Sequence, residues 1–408
     1  MAKKDTKKSK NKKAKNCKKG IVVAVVVIVL VLLCVGLVTG LYFGIEDVKV
    51  KLDDVWMKIV DLIGNADGDD NKPSGDGNNP KPSGGDFSTI LEDSNVSIHF
   101  LELGNKYTGD CTLIKCGDVE VLIDAGSRTT SSKAIKEYVS KYCTDGVLEY
   151  VIVTHAHQDH IAGFVGSKEN PGVFESFECG TIIDFPLTNA TSKVYRDYVT
   201  KRDAEVGAGA KHYTALECYN EENGAKRTYT LGENVTLTIL YNYYYENETD
   251  DENDYSVCVL LDNNGTYSLF TGDLEKDGEE RLVKNNELPK CKLFKGGHHG
   301  SYTASTDALL SVIQPEIVCV CCCCGSTEYT TNMANVFPSQ AFISRVTKYT
   351  TNIYVTTLVT DYDSGKYESL NGNIVILFNA SGDVAVNCSN NNTKFVDTEW
   401  FKQHRKLE

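Results

Sequence analysis

From about residue 94 onward the chain alternates short apolar runs with polar turns. Apolar or alternating stretches predict strands at 96–103, 111–116, 119–123 and 148–153. A second batch is predicted at 235–241, 257–261, 267–271, 291–294, 317–324, 353–356, 374–378 and 384–387. Helical patterns cover 131–143, 274–284, 305–313 and 339–348. Strands outnumber helices and come in two batches, each followed by helices. That order predicts an α+β fold of sheets covered by helices, with no internal repeat of fixed period.

The N-terminal residues follow other rules. An almost unbroken apolar run from Gly20 to about Phe43 carries no charge until Glu46. It has the roughly 20 apolar residues that a bilayer-spanning helix needs. A signal peptide's apolar region is only about 7–15 residues long. A lipoprotein site at Cys34 would want a small residue where Leu33 stands. Ten lysines in residues 1–20, with Glu46 and Asp47 beyond the run, put the N-terminus on the cytoplasmic side. Residues 64–88, rich in Gly, Asp, Asn, Ser and Pro, are too polar to fold and predict a flexible spacer. The expected organisation is a basic cytoplasmic tail (1–20), one transmembrane helix (21–44) and a juxtamembrane segment with linker (45–93). An extracytoplasmic domain (94–390) and a C-terminal tail (391–408) complete it.

Composition changes this picture in two places. The hydrophobic share of 41% and charged share of 24% are those of a chain that packs a core. The net charge of −14 hides an asymmetry, because outside residues 1–20 there are 32 basic against 55 acidic side chains. An acidic body of −23 repels nucleic-acid phosphates unless a local basic groove exists. Lys284, Lys290, Lys292 and Lys295 are the candidates for one, with ordinary solvated lysines as the plain alternative. Thirteen of the fifteen cysteines follow the apolar run. Cys319 and the four at 321–324 fall in one apolar strand, where neighbours point to opposite faces and cannot pair. They read as small apolar core residues rather than a metal cluster, since the CxxC pairs of a zinc ribbon are missing.

The chemistry concentrates in Val151-Ile-Val-Thr-His155-Ala-His157-Gln-Asp159-His160. A strand ends, and three imidazoles and a carboxylate follow within six positions. Such a concentration of ligand groups is expensive unless a metal engages it. A turn here can aim His155 and His157 at one metal, and Asp159 and His160 at a second.

With that motif the chain resembles the metallo-β-lactamase-fold hydrolases, and most closely the ComEC-type competence-protein hydrolase domain and its anchored relatives. The resemblance rests on five ordered segments: His99 to Leu103 with Gly109-Asp110-Cys111, Leu122-Ile-Asp124-Ala-Gly126, the His155 to His160 motif, Thr271-Gly-Asp273-Leu-Glu275 and Gly297-His298-His299-Gly-Ser301. It implies an αββα sandwich over most of the soluble part. It further implies that Asp124 holds the histidine loop by hydrogen bonds and that Asp273 bridges two metals. In the same way His299 is a metal ligand, His298 meets the substrate's oxyanion or leaving group, and Ser301 adds a hydrogen bond or simply shapes the turn. The chain departs from the family in lacking a third histidine for the first metal some twenty residues before Asp273. Asp254, near Ser256, is the candidate oxygen ligand there. Phe337 stands where a histidine often precedes proline, and His212 reads as a surface residue.

The implied activity is hydrolysis of a phosphodiester or phosphoester by a hydroxide bridging two divalent ions, with Asp159 and His298 as catalytic residues. Zinc suits the imidazole-rich set and manganese the carboxylates. DNA and small or surface-attached phosphoesters are the expected substrate classes. A thioester or lactone hydrolase of the same fold, or a weakly catalytic metal-binding surface protein, are the alternatives.

Overall fold

The computed structural model describes residues 87–407; the predicted tail, the transmembrane helix and nearly all of the linker lie outside the described residues. Among the described residues no helix is long and apolar enough to cross a membrane.

The first eight strands in chain order are β1 (Ser94–Phe100), β2 (Thr112–Cys116), β3 (Val119–Ile123), β4 (Val147–Ile152), β5 (Glu178–Asp184), β6 (Lys211–Thr214), β7 (Thr228–Gly232) and β8 (Val235–Ile239). The next eight are β9 (Val259–Asn263), β10 (Thr266–Phe270), β11 (Leu293–Lys295), β12 (Ile317–Cys324), β13 (Ile353–Asp361), β14 (Lys366–Ser369), β15 (Ile374–Asn379) and β16 (Val384–Cys388). They form two sheets of eight, in the orders β16-β15-β1-β2-β3-β4-β5-β6 and β14-β13-β12-β11-β10-β9-β8-β7.

Each sheet has a parallel half, β3 to β6 and β10 to β13. Parallel neighbours need crossovers, and these are helical. In the first sheet they are α1 (Ser131–Val139), α2 (Gln158–Val165), α3 (Val173–Ser176) and α4 (Lys193–Ala208), followed by α5 (Ala215–Asn220). In the second they are α6 (Lys276–Asn285), α7 (Asp307–Ile313) and α8 (Gln340–Val346). A last helix, α9 (Glu399–His404), follows β16. This is an α+β architecture of two eight-stranded sheets with helical crossovers.

Alternation along the strands divides the core. Phe100 and Phe270 meet between the sheets with ring centroids 6.4 Å apart. Cys319 and Cys321 of β12 enter that inter-sheet core, while Cys322 and Cys324 turn to the core under α6 to α8. All thirteen cysteines among the described residues are buried and none is in a disulfide. Burial pushes the thiols of Cys319, Cys322 and Cys324 far up, so they behave as small apolar side chains.

Two expectations need correction. The expected C-terminal tail packs on the domain over its described residues 391–407, because Phe395 and Phe401 are buried in the core of the second sheet. Sequence periodicity also marks no element between 166 and 234, yet β5, β6, β7 and the sixteen-residue α4 lie there. Helix α4 carries its apolar face only in its first half, where Val194, Tyr195 and Val199 pack on the core beside the fully buried Tyr198.

Candidate metal centre

In open parallel sheets, ligand sites form beyond the carboxyl ends of the strands. Here two such ends face each other. From the first sheet, β3 delivers Asp124 and β4 delivers the turn from Thr154 to His160. From the second, β10 delivers Asp273, and the turn after β11 delivers His298 and His299.

Backbone contacts lock the first pair of turns together. Asp110 N–H donates to the Asp159 carbonyl at 3.0 Å, Ala125 N–H to the His160 carbonyl at 2.7 Å, and Gly126 N–H to the Asp110 carbonyl at 2.8 Å. A side chain at Gly126 would collide with the Asp159 carbonyl, which is why the turn after Asp124 needs glycine. On the other side, His298 and His299 both adopt left-handed backbone, with φ of 44° and 54°. Such a pair of non-glycine residues costs on the order of 1 kcal/mol or more each and marks a geometry held for a purpose.

Hydrogen bonds then fix which nitrogen each imidazole presents. Thr154 donates its N–H to Asp124 Oδ1 at 2.8 Å and its hydroxyl to Oδ2 at 2.7 Å. His160 Nδ1 lies 2.8 Å from Asp124 Oδ2, His299 Nδ1 2.8 Å from the Cys321 carbonyl, and His155 Nδ1 3.1 Å from Thr154 Oγ1. With three Nδ1 atoms so engaged, the Nε2 lone pairs are left to point inward, the arrangement that orients metal-binding histidines. His160 Nε2 is 3.0 Å and His299 Nε2 3.1 Å from Asp273 Oδ2, and His299 Nε2 is 3.4 Å from Asp159 Oδ2. His155 Nε2 and His157 Nδ1 are 3.0 Å apart.

The electrostatics fit a cation. Burial opposes charge on Asp273, yet His160, His299, His298 and Lys295 hold its carboxyl well below the usual range. Burial likewise works against Asp159, and contact with His299 and His160 overcomes it. His160 is pushed up to about 10 by Asp273 and Asp124 against the cost of burial. The buried carboxylates thus call for positive charge at the lone pairs that a divalent ion would take. His299 Nε2 is fully buried and makes no aligned hydrogen bond, although two carboxylates lie within 3.4 Å. Asp159, His160, Asp273 and His299 could hold one ion, and His155 and His157 could begin a second site.

Asp110, Glu275 and Tyr329 join the site without a role expected from the sequence, and Lys295 and Phe337 take roles other than those expected. Asp110 is buried behind His299, with Oδ1 3.3 Å from His299 Nδ1, and Lys295 Nζ contacts its other oxygen. Lys295 also lies 3.2 Å from the Gly272 carbonyl and 3.5 Å from Asp273 Oδ1. Glu275 Oε1 is 3.0 Å from His298 Nδ1, while His298 Nε2 faces Asp273 Oδ2 at 3.8 Å. Tyr329 donates its hydroxyl to Asp159 Oδ2 at 2.8 Å, with its ring centroid 5.6 Å from that of Phe337. Phe337 in turn lies 6.0 Å from both His298 and His299. Asp110 and Glu275 stand in quoted motifs, so strand-end carboxylates were the available signal; nothing local marks Tyr329.

Other candidates are placed elsewhere. Asp254 turns Oδ1 to the Glu275 N–H at 3.2 Å, and burial lifts its carboxyl to about 7, so it is not gathered with the histidines. Ser301 bonds Thr303 Oγ1 at 2.8 Å and shapes the turn. His212 is partly buried against Asp184 Oδ1 at 2.8 Å rather than lying on the surface. The suggested lysine groove does not form as drawn, because Lys295 is buried on carboxylates and Lys292 pairs with Glu316.

The chain resembles known proteins over parts of its length. Residues 104–173 match the sequence profile described as the metallo-beta-lactamase superfamily. The chain is 26% identical over 172 residues to ComE operon protein 3 of Bacillus subtilis, covering 41% of this chain and 19% of that protein. It is 32% identical over 72 residues to Recombination protein 2 of Haemophilus influenzae, covering 18% and 9%. The chain therefore spans a fifth or less of the length of these curated relatives. Among solved structures, the metallo-beta-lactamase fold protein YhfI of Bacillus subtilis aligns at 11% identity and a TM-score of 0.35, over 67% of this chain and 99% of that one.

Proposed function

We propose that this chain, of the metallo-β-lactamase fold and weakly homologous to the ComE and recombination proteins, is a metal-dependent hydrolase of phosphoester bonds. Divalent ions, zinc or manganese, would lower the pKa of water at the site and offset charge on the phosphoryl oxygens. The chain's own residues do the rest. Asp159, His160, Asp273 and His299 hold one ion and His155 and His157 another, with Asp124 and Thr154 fixing the imidazoles. His298, oriented through Nδ1 by Glu275, presents Nε2 to the site and can pass a proton to the leaving oxygen.

Support for a substrate with planar groups comes from the rim. Arg128 packs over the Tyr107 ring at 4.1 Å and pairs with Glu328, next to Tyr329. Lys106 lies 4.2 Å from the centre of the Tyr362 ring. Aromatic faces with interleaved cations suit base-bearing phosphodiesters. DNA is accordingly the first substrate to try and small surface phosphoesters the second. The predicted N-terminal helix would anchor this activity on the outer side of the cell membrane.

The observation that carries the reading is the chain of contacts at 3.0–3.4 Å that joins His160 to Asp273, Asp273 to His299 and His299 to Asp159, with the back nitrogens of both imidazoles already engaged. The test is metal analysis of the full-length protein followed by assays on bis-nitrophenyl phosphate, DNA and phosphocholine esters. Zinc- or manganese-dependent turnover that disappears in Asp159→Ala is expected. Turnover that survives metal stripping refutes the scheme.

A further inference from the structure

We infer that the two ions are held unequally: one tightly at Asp159, His160, Asp273 and His299, the other loosely at His155 and His157. This rests on the metal-dependent reading above and deepens it.

The inner set offers two carboxylates and two imidazoles. The outer set offers two neutral imidazoles and whatever share of Asp273 the inner ion leaves. Among the described residues, His160, Asp273 and His299 gather with Asp110 so that their ligand atoms lie within 4.8 Å of one another; Asp159 joins this group through its 3.4 Å contact with His299, and no such group forms around His155 and His157.

The reason lies in the turn Glu252–Tyr255 and the residue after it: Glu252, Asp254 and Ser256 are committed elsewhere, and Asn253, whose Nδ2 lies 3.5 Å from Glu275, keeps only a neutral amide oxygen without a partner. Glu252 Oε1 accepts from Ala156 N–H at 3.2 Å and Thr188 Oγ1 at 2.7 Å, and its Oε2 accepts from Asn189 N–H at 2.6 Å. Asp254 faces the Glu275 N–H. Ser256 Oγ accepts from Asp273 N–H at 3.1 Å and sits 3.5 Å from His155 Nδ1, behind the imidazole rather than at its Nε2. These groups position His155, Ala156 and Asp273, and they leave the outer site short of a donor.

Donor number and charge both favour the inner set. Loss of a supporting contact alone costs about 10–100-fold in metal affinity, so a missing ligand should separate the two sites by at least tenfold. The chain would then keep one ion through purification and take up the second only from excess metal.

The experiment is titration of chelator-stripped full-length protein with zinc and with cobalt. It is read by metal content after desalting, by calorimetry and by the cobalt absorption spectrum. One equivalent surviving desalting, and a second binding at least tenfold more weakly, is the expected result. His157→Ala should lose only the weak equivalent, whereas Asp159→Ala should lose the retained one. Two equivalents of equal affinity in the unaltered protein overturn the inference while leaving the hydrolase reading intact. So does loss of the retained ion in a folded His157→Ala. A folded protein that takes up neither zinc nor cobalt at any concentration sinks both.

Discussion

Asp124 Oδ2 sits 2.8 Å from His160 Nδ1 and receives the Thr154 hydroxyl at 2.7 Å, so one buried carboxylate fixes the direction of an imidazole in the candidate metal centre. Asp124→Ala leaves His160 free to rotate and to carry its proton on the wrong nitrogen. Metal affinity should fall by about 10–100-fold. Calorimetric titration of the stripped variant, with circular dichroism to establish that it folds, measures this directly.

His298 and His299 are adjacent but unequally placed. His299 is fully buried with Nδ1 on a backbone carbonyl, whereas His298 is partly open and paired with Glu275. His298→Ala should therefore keep its metal and lose turnover by about 10²–10⁴-fold, the usual worth of a general acid. Glu275→Gln should lose less. Loss of metal in His298→Ala, equal to that in His299→Ala, would show that the two roles are reversed.

The motifs that build this centre were legible because each ends a strand with polar residues that a plain loop would not concentrate. His155 to His160 follow an apolar run, and Asp124 and Asp273 do the same. Asp110 was harder to read, since its role appears only when the turn after β3 folds onto the Asp159 carbonyl. Tyr329 could not be read at all, because it reaches Asp159 across 170 residues of chain. The lysines near the second motif misled for a related reason: proximity in sequence did not show that Lys295 points inward to Asp110 and Asp273.

His99 on β1, which contacts none of the residues of the candidate metal centre in its hydrogen bonds, supplies a pH dependence of its own. It is buried between Tyr138 and Ser97, at 2.9 and 2.8 Å, and burial together with Lys115 lowers its pKa to about 3 from 6.5. The unfolded chain thus binds a proton between pH 6.5 and 3 that the folded chain refuses. Stability from this group is complete above pH 6.5 and is lost as pH falls, at up to about 1.4 kcal/mol per unit. Chemical denaturation at pH 7 and pH 5 should show the difference, and His99→Gln should reduce it. An unchanged slope in the variant would assign the effect elsewhere.

Gly126 is a packing requirement rather than a flexible point. Gly126→Ala forces its methyl group into the Asp159 carbonyl and separates the turn after β3 from the turn that carries His155 to His160. A cost of about 1–3 kcal/mol is expected from such overpacking. The variant should unfold at lower denaturant and retain less metal after desalting.

Arg405 ties the C-terminus to the rim of the centre. Its guanidinium donates to the carbonyls of Pro338 at 2.8 Å, Met333 at 2.9 Å and Val336 at 2.6 Å, and so holds the loop that carries Phe337 against His298 and His299. Removing it leaves buried carbonyls without donors, at about 1–3 kcal/mol for each that water cannot reach. No metal ligand is touched. Arg405→Met should therefore keep full metal content while the loop loosens and KM for a phosphodiester rises more than kcat falls. Deleting residues 391–408 should be worse, because it also strips Phe395 and Phe401 from the second core, and burial of one such ring is worth about 3–5 kcal/mol. If the truncated protein were as stable as the whole, the C-terminal helix would be an ornament and Phe337 would need some other anchor.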